Sequence, residues 1–362
     1  MRDTSKVHRV AIAGMGTVFP DSSDVDIGSP ASEAPEKGRP RIRRMDEALF
    51  EAHIDQQFLK LLDRSVALGL IASMRAIRNC GWGEEPSHSE VGCCIGTAFA
   101  GTHSLEGFLD VMREKGPKKV HPRALQVTIG NAASSNMSIH HLFFGPTVAC
   151  SGSFLSGLHA LTYSADAMAL GSFPEVMLTG GVDSPDSKWA FGLCDRYGID
   201  SARLSEGAAV AVLNRMNSDE AGRQGNAVEW LGGGLYHWHQ PSASGSKVHR
   251  EWFRDAVEQA LRQVGLGEDK IVCAGYSCAP GSDLAEPIRD VLSAKWGSCL
   301  YGGTSKEDTY AFAASPVRDL FTFLEETGRR NSGIDSTAGG CALFAAGSED
   351  GDCAVTMMRM GA

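Results

Sequence analysis

Short apolar runs bounded by glycine or polar turns alternate along this chain with longer stretches in which apolar residues recur every three or four positions. The short runs at 10–13, 91–95, 176–178 and 208–213 predict buried strands. The stretch 62–80 (LDRSVALGLIASMRAIRNC) predicts an amphipathic helix stopped by Gly81, and 154–170 predicts a second helix. The same order returns more weakly further on. It gives a strand at 227–235, a helix at 250–264, a strand at 271–275 and helices at 284–292 and 317–326. A closing hairpin follows, 341–346 and 353–358, around Glu349-Asp350-Gly351. Residues 21–44, rich in Ser, Pro, Glu and Arg, break the pattern and read as a loop or connection. The expectation is an α/β fold made of two similar halves, 1–220 and 221–362, meeting near 215–226. Each half should hold a mostly parallel sheet between helical layers.

Composition narrows the functional classes. The 362 residues are 43% hydrophobic, enough for two ordinary domains or one large double one, and 42 glycines imply many tight turns. The net charge of −10, without a long Lys or Arg run, argues against nucleic acid as a partner. No apolar run is long enough to cross a membrane, and the start MRDTSKVHRV lacks the apolar core of a signal peptide. Ten scattered cysteines, including the pair Cys93-Cys94, show neither CxxC nor zinc spacing. Reduced thiols and a cytoplasmic location are expected, with no metal or bound cofactor.

The segment 148–153 (VACSGS) carries the candidate chemistry. An apolar approach, a cysteine, small residues and then a helical pattern predict strand, sharp turn and helix, with the Cys150 thiol at the helix N-terminus. There the helix dipole favours thiolate, and free amides can hold an oxyanion. The chemistry implied is acyl transfer through a thioester. The same residues also fit a buried cysteine in a tight turn.

Ordered motifs now carry a resemblance. RVAIAGMG opens the chain at 9–16, and VGCCIGT occupies 91–97. Gly145-Pro146 precedes the Cys150 segment; Gly171 through Gly180-Gly181, SEGA at 205–208 and YHWHQP at 236–241 follow it. Together these resemble the β-ketoacyl synthases of the elongating (KAS I/II) type over nearly the whole chain. The resemblance implies a thiolase fold: layered αβαβα, duplicated halves, dimeric through the central strands. It also places Cys150 on the acylated cysteine.

That family works with a cysteine and two histidines. The first histidine lies in an H-G-T-x-T turn before a helix; anchoring on Glu286-Pro287-Ile288 puts Cys278 there, or Ser277 if the register slips by one. The second lies in K-[ST]-x-x-G-H-x-x-[GA]-A-A-G; anchoring on residues 312–315 puts Thr309 on the histidine and Thr304 on the lysine. No histidine follows His249 in the chain. Serine, cysteine and threonine can hydrogen-bond but carry no positive charge near neutral pH. His140-His141, His159, His237 and His239 read as structural, surface or interface groups. The F-G-F-G-G loop that gates the family's acyl tunnel has two nearest counterparts, 337–340 and 344–347.

Two functions follow from the resemblance. The first is a chain length factor-like, non-condensing subunit. It would pair with an active ketosynthase as a heterodimer in bacterial type II polyketide (polyene- or aryl-polyene-like) or fatty-acid biosynthesis, and would shape the acyl tunnel. The acyl chain would arrive on the phosphopantetheine of an acyl carrier protein, with the basic run Lys115, Lys118 and Lys119 a candidate dock. The alternative is an acyltransferase using Cys150 to move an acyl group from carrier protein or CoA without decarboxylation.

Overall fold

The computed structural model describes residues 7–20, 42–81, 90–99, 101–216, 228–237, 246–301, 309–331 and 340–360. The first half runs β1 (Arg9–Val18), α1 (Glu47–His53), α2 (Gln56–Leu59), α3 (Arg64–Asn79), β2 (Val91–Thr97), α4 (Thr102–Lys115), α5 (Ala132–His140) and β3 (Thr147–Ser151). It continues with α6 (Ser156–Ala169), β4 (Val176–Asp183), α7 (Lys188–Tyr197) and β5 (Gly207–Met216). The second half runs β6 (Val228–His237), α8 (Ser246–Val264), β7 (Ile271–Ser277), α9 (Ala285–Trp296), β8 (Leu300–Tyr301), α10 (Ser315–Asn331), β9 (Cys341–Gly347) and β10 (Asp352–Arg359). The expected boundary near 215–226 falls mostly on 217–227, outside the described residues, as does most of the 21–44 connection.

The strands join in the order β3-β2-β4-β5-β1-β6-β10-β9-β7-β8. Read inward from either edge, this is the third, second, fourth, fifth and first strand of each half. The two sets meet where β1 pairs antiparallel with β6. The expected mostly parallel sheet is not what forms. Only β2–β3, β2–β4, β7–β8 and β7–β9 are parallel. The other five pairings are antiparallel. Strands covered on both faces read as unbroken apolar runs whichever way they pair, so β5 and β10 gave no sign of their direction.

The helices sort into layers by their apolar faces. Asp63 caps α3 by accepting from the Ser65 amide, and α3 buries Val66, Leu70 and Ile71 with α5's Met137 against the outside of the first half-sheet. Trp296 of α9 and Phe253, Val257 and Leu261 of α8 do the same on the second. Between the half-sheets lie α6 and α10, whose Leu158, Leu161, Leu320 and Phe321 share one core with residues of β1, β5, β9 and β10. The layering is αβαβα, as expected. It gathers the ends of β2, β4, β7 and β9 around the starts of α6 and α10.

Candidate active site

The first turn of α6 differs from expectation. Cys150 is the fourth residue of edge strand β3, half-buried, and α6 begins only at Ser156. Between them Gly152 takes φ +115°, a left-handed bend open to glycine. Ser153 then fixes the helix start: its Oγ accepts from the Leu155 amide at 3.0 Å, and its carbonyl accepts from Ser156 Oγ at 2.6 Å. The residue at the turn into the helix is therefore Phe154, buried, and the thiol predicted there is four residues away in a strand. Phenylalanine thus stands where a thiol was expected, and Gly157, three residues on, was the available signal for the close helix start. A Cβ on Gly157 would lie 2.1 Å from the Ala313 carbonyl oxygen.

Cys150 has a partner of its own. Its Sγ lies 3.9 Å from Cys94 Sγ on β2. The hydrogen bond from Cys94 lowers the Cys150 thiol pKa against the opposing effect of burial, and raises that of Cys94. No histidine or carboxylate is recorded in hydrogen-bond contact with this pair among the described residues.

Three loops converge on Phe154. Its ring centroid lies 4.8 Å from that of Phe312, in the turn before α10, and 6.0 Å from Phe99, at the end of β2. Phe99 meets Phe312 edge-on at 4.5 Å, and Tyr310 lies 5.1 Å from Phe312. Ala279 belongs to the same buried cluster and half-buried Tyr197 packs against it, so the turns after β7 and before α10, on which the resemblance lays the two histidines, face the start of α6 across aromatic rings. Phe312 stands at the [GA] position of the family pattern and holds φ +31°, unusual for a residue with a side chain. Asp183, at the end of β4, fixes the arrangement. Its carboxylate accepts from the amides of Phe99 (2.7 Å) and Ala313 (2.9 Å) and from Thr97 Oγ1 (2.8 Å). Complete burial pushes its carboxyl up to about 6 against these bonds. A cavity of about 460 Å³ opens beside the cluster, lined by Tyr197, His249, Trp252, Ala279, Ser282 and Glu349 among others.

Ser277 and Thr309 are tied together from behind. Ser277 Oγ donates to Asp319 Oδ2 at 2.6 Å. Asp319 pairs with Arg318 at 3.2 Å. Arg318 donates to Thr309 Oγ1 at 3.3 Å and to the Thr309 carbonyl at 3.1 Å. Arg318 also lies 4.4 Å over the Phe19 ring. Sequence reasoning missed Arg318 and Asp319; a charged pair in the first turn of the otherwise apolar face of α10 was the available signal. Cys278 is buried, and desolvation pushes its thiol up to about 12. Thr304 and Lys306 lie outside the described residues.

The remaining candidates fall elsewhere. Residues 344–347 are the end of β9, and 337–339 lie outside the described residues. It is the next turn, 348–351, that reaches the site: Asp350 Oδ2 accepts from the Phe154 amide at 2.9 Å. His141 bonds Ser73 at 2.7 Å, and burial lowers its pKa to about 4. His237 Nδ1 lies 2.6 Å from Asp352, and His159 lies 3.7 Å from the same carboxylate. His239 is outside the described residues.

The model of the beta-ketoacyl synthase N-terminal domain matches residues 29–218, just over half of the chain. The chain belongs to the β-ketoacyl synthase family. Among curated relatives, the 3-oxoacyl-[acyl-carrier-protein] synthase 2 of Vibrio cholerae is 26% identical over 317 residues, covering 77% of this chain and 75% of that protein. The same enzyme of Coxiella burnetii is 24% identical, covering 86% and 81%. Among solved structures, the ishigamide ketosynthase/chain length factor superposes with a TM-score of 0.78 at 19% identity, covering 98% of this chain and 100% of that one. A β-ketoacyl synthase from Burkholderia phymatum gives 0.74 at 17% identity, covering 98% and 100%. The fold is the thiolase fold of the ketosynthases. Among the described residues, no helix is long and apolar enough to cross a membrane.

Proposed function

We propose that this chain is a non-condensing, chain length factor-like subunit that pairs with an active ketosynthase in type II polyketide or fatty-acid biosynthesis. The observation that carries the reading is Phe154 at the start of α6, packed on Phe312 where a nucleophile and its substrate carbonyl would have to meet. Around it Ser277, Cys278 and Thr309 replace both histidines, and two of the three are engaged in the Arg318–Asp319 network. Losing one preorganised electrostatic donor costs about 2.7–4 kcal/mol of transition-state stabilisation, so two losses leave little decarboxylative condensation.

The surface supports a partner. Strand β3 is a sheet edge, and beside it Ile139, Leu142 and Phe144 expose large apolar side chains, Phe144 to 75%. Open edges and contiguous apolar patches are features that subunit pairing covers. An acyl chain would be delivered on the phosphopantetheine arm of an acyl carrier protein, and the exposed Lys115, Lys118 and Lys119 offer that acidic protein a dock. The acyltransferase alternative needs Cys150 as nucleophile, with a base at hand. Among the described residues, the Cys150 thiol hydrogen-bonds with a second thiol, that of Cys94.

The purified chain, given malonyl-carrier protein and an acyl primer, is expected to show no condensation. Coexpression with a ketosynthase encoded beside it is expected to yield an active complex whose activity survives Cys150→Ala. Turnover by the isolated chain at an ordinary synthase rate contradicts the reading.

A further inference from the structure

The turn into α6 satisfies two of its own amides. Ser153 takes those of Leu155 and Ser156 through its Oγ and carbonyl. The Phe154 amide has no local acceptor. An N–H just ahead of a helix start lies at the positive end of the helix dipole, where negative charge is held by partial charges and by direct donation. Here the chain fills that place itself. The turn joining β9 to β10 folds back on a Gly351 amide to Ser348 carbonyl bond of 3.0 Å, and Ser348 Oγ hydrogen-bonds Asp350 Oδ1. This leaves Oδ2 aimed at the Phe154 amide, 2.9 Å away.

We propose that Asp350 is a built-in anion occupying the anion site at the start of α6, so that this turn can hold neither a substrate oxyanion nor a thiolate. The proposal deepens the non-condensing reading yet stands on the amide contact alone. A cysteine restored at position 154 would then face a fixed carboxylate rather than an unmatched N–H. Coulomb repulsion and the loss of the amide as donor both disfavour its thiolate. Reversal of the Phe154 replacement would therefore not by itself rebuild a nucleophile. Burial raises the pKa of Asp350, and the bonds from Ser348 Oγ and the Phe154 amide lower it. The other titratable groups near it are Glu349 in the same turn, Tyr310 before α10, Asp352 on β10 and His159 on α6. All four are unchanged in the comparison below.

The test compares Phe154→Cys with the double variant Phe154→Cys/Asp350→Asn by NMR of ¹³Cβ-labelled cysteine, which follows thiol ionisation without a reagent having to enter. The introduced thiol is expected to titrate above the free-cysteine value of about 8.5 in the single variant. In the double variant it is expected to titrate lower by about 1–2 in pKa. Equal values in the two variants, or a depressed value already in the single one, overturn the proposal. If the cysteine variants do not fold, the Phe154 amide ¹⁵N–¹H signal of the native chain serves instead. It should move with the titration of a single carboxyl and lose that movement in Asp350→Asn; no such movement in the native chain overturns the proposal. Failure of the subunit reading would appear as condensation by the native chain, a separate result.

Discussion

At the scale of single residues, Phe312 and Asp183 set opposing demands on the same turn. Phe312 holds a positive φ that costs roughly 1–2 kcal/mol for a residue with a side chain. Its buried ring contributes more, since truncating such a ring costs about 3–5 kcal/mol. Phe312→Gly should relieve the first and lose the second, for a net destabilisation of about 2–3 kcal/mol by denaturant unfolding. Asp183 makes stability depend on pH. Its folded pKa of about 6 lies above the ordinary 3.8, so the folded state keeps a proton that the unfolded chain gives up. That contribution is complete below about pH 4 and is lost as pH rises through 6, a change of roughly 3 kcal/mol. The difference in unfolding free energy between native chain and Asp183→Asn should narrow by about that much from pH 4 to 6.5; a pH-independent difference would rule the linkage out. The absence of histidine from 250 to 362 was legible in the sequence because it needs no register. The residue at the turn into α6 was not. A cysteine in a strand and a phenylalanine in the turn both lie within one degenerate motif, and only backbone contacts of Gly157 choose between them.

At the scale of elements, α6 is placed by close backbone approach rather than by side-chain fit. Gly157 sits where an added Cβ would lie 2.1 Å from the Ala313 carbonyl oxygen and 2.9 Å from Gly181 Cα. Alanine gains about 0.8–1.0 kcal/mol of helix propensity over glycine. Overpacking costs about 1–3 kcal/mol even where side chains can move, and here backbone would have to yield. Gly157→Ala should therefore destabilise the chain, with a lower denaturation midpoint at unchanged slope. Helices α3 and α8 were legible because one apolar stripe packs on a sheet. Helices α4 and α7 were not among the expected elements, for different reasons. α4 buries no residue fully, although Leu105, Phe108, Leu109 and Met112 recur along it at helical spacing. α7 is ten residues long and buries only Ala190, Phe191 and Cys194. Strand β8 spans two residues, too few for a periodicity to register.

At the scale of the whole molecule, the mirrored strand order brings the ends of β2 and β4 and the starts of α6 and α10 into contact, and the cluster of Phe99, Phe154, Tyr310 and Phe312 fills the centre. The layering was legible from alternating strands and helices, whereas strand direction was hidden by burial on both faces. The open edge at β3 leads to a prediction about assembly. Phe144→Asp places a charge in an exposed apolar patch away from the core, so it should leave the fold's stability within about 0.5 kcal/mol. It should also abolish co-purification with a ketosynthase partner. Unimpaired pairing would move the interface elsewhere. The central claim is that the chain carries no acyl group in turnover. Its most direct measurement is peptide-resolved mass spectrometry of the reconstituted pair after incubation with acyl-carrier protein. The predicted result is an acyl thioester on the partner ketosynthase and an unmodified Cys150. A stoichiometric thioester on Cys150, lost together with activity in Cys150→Ala, would contradict it.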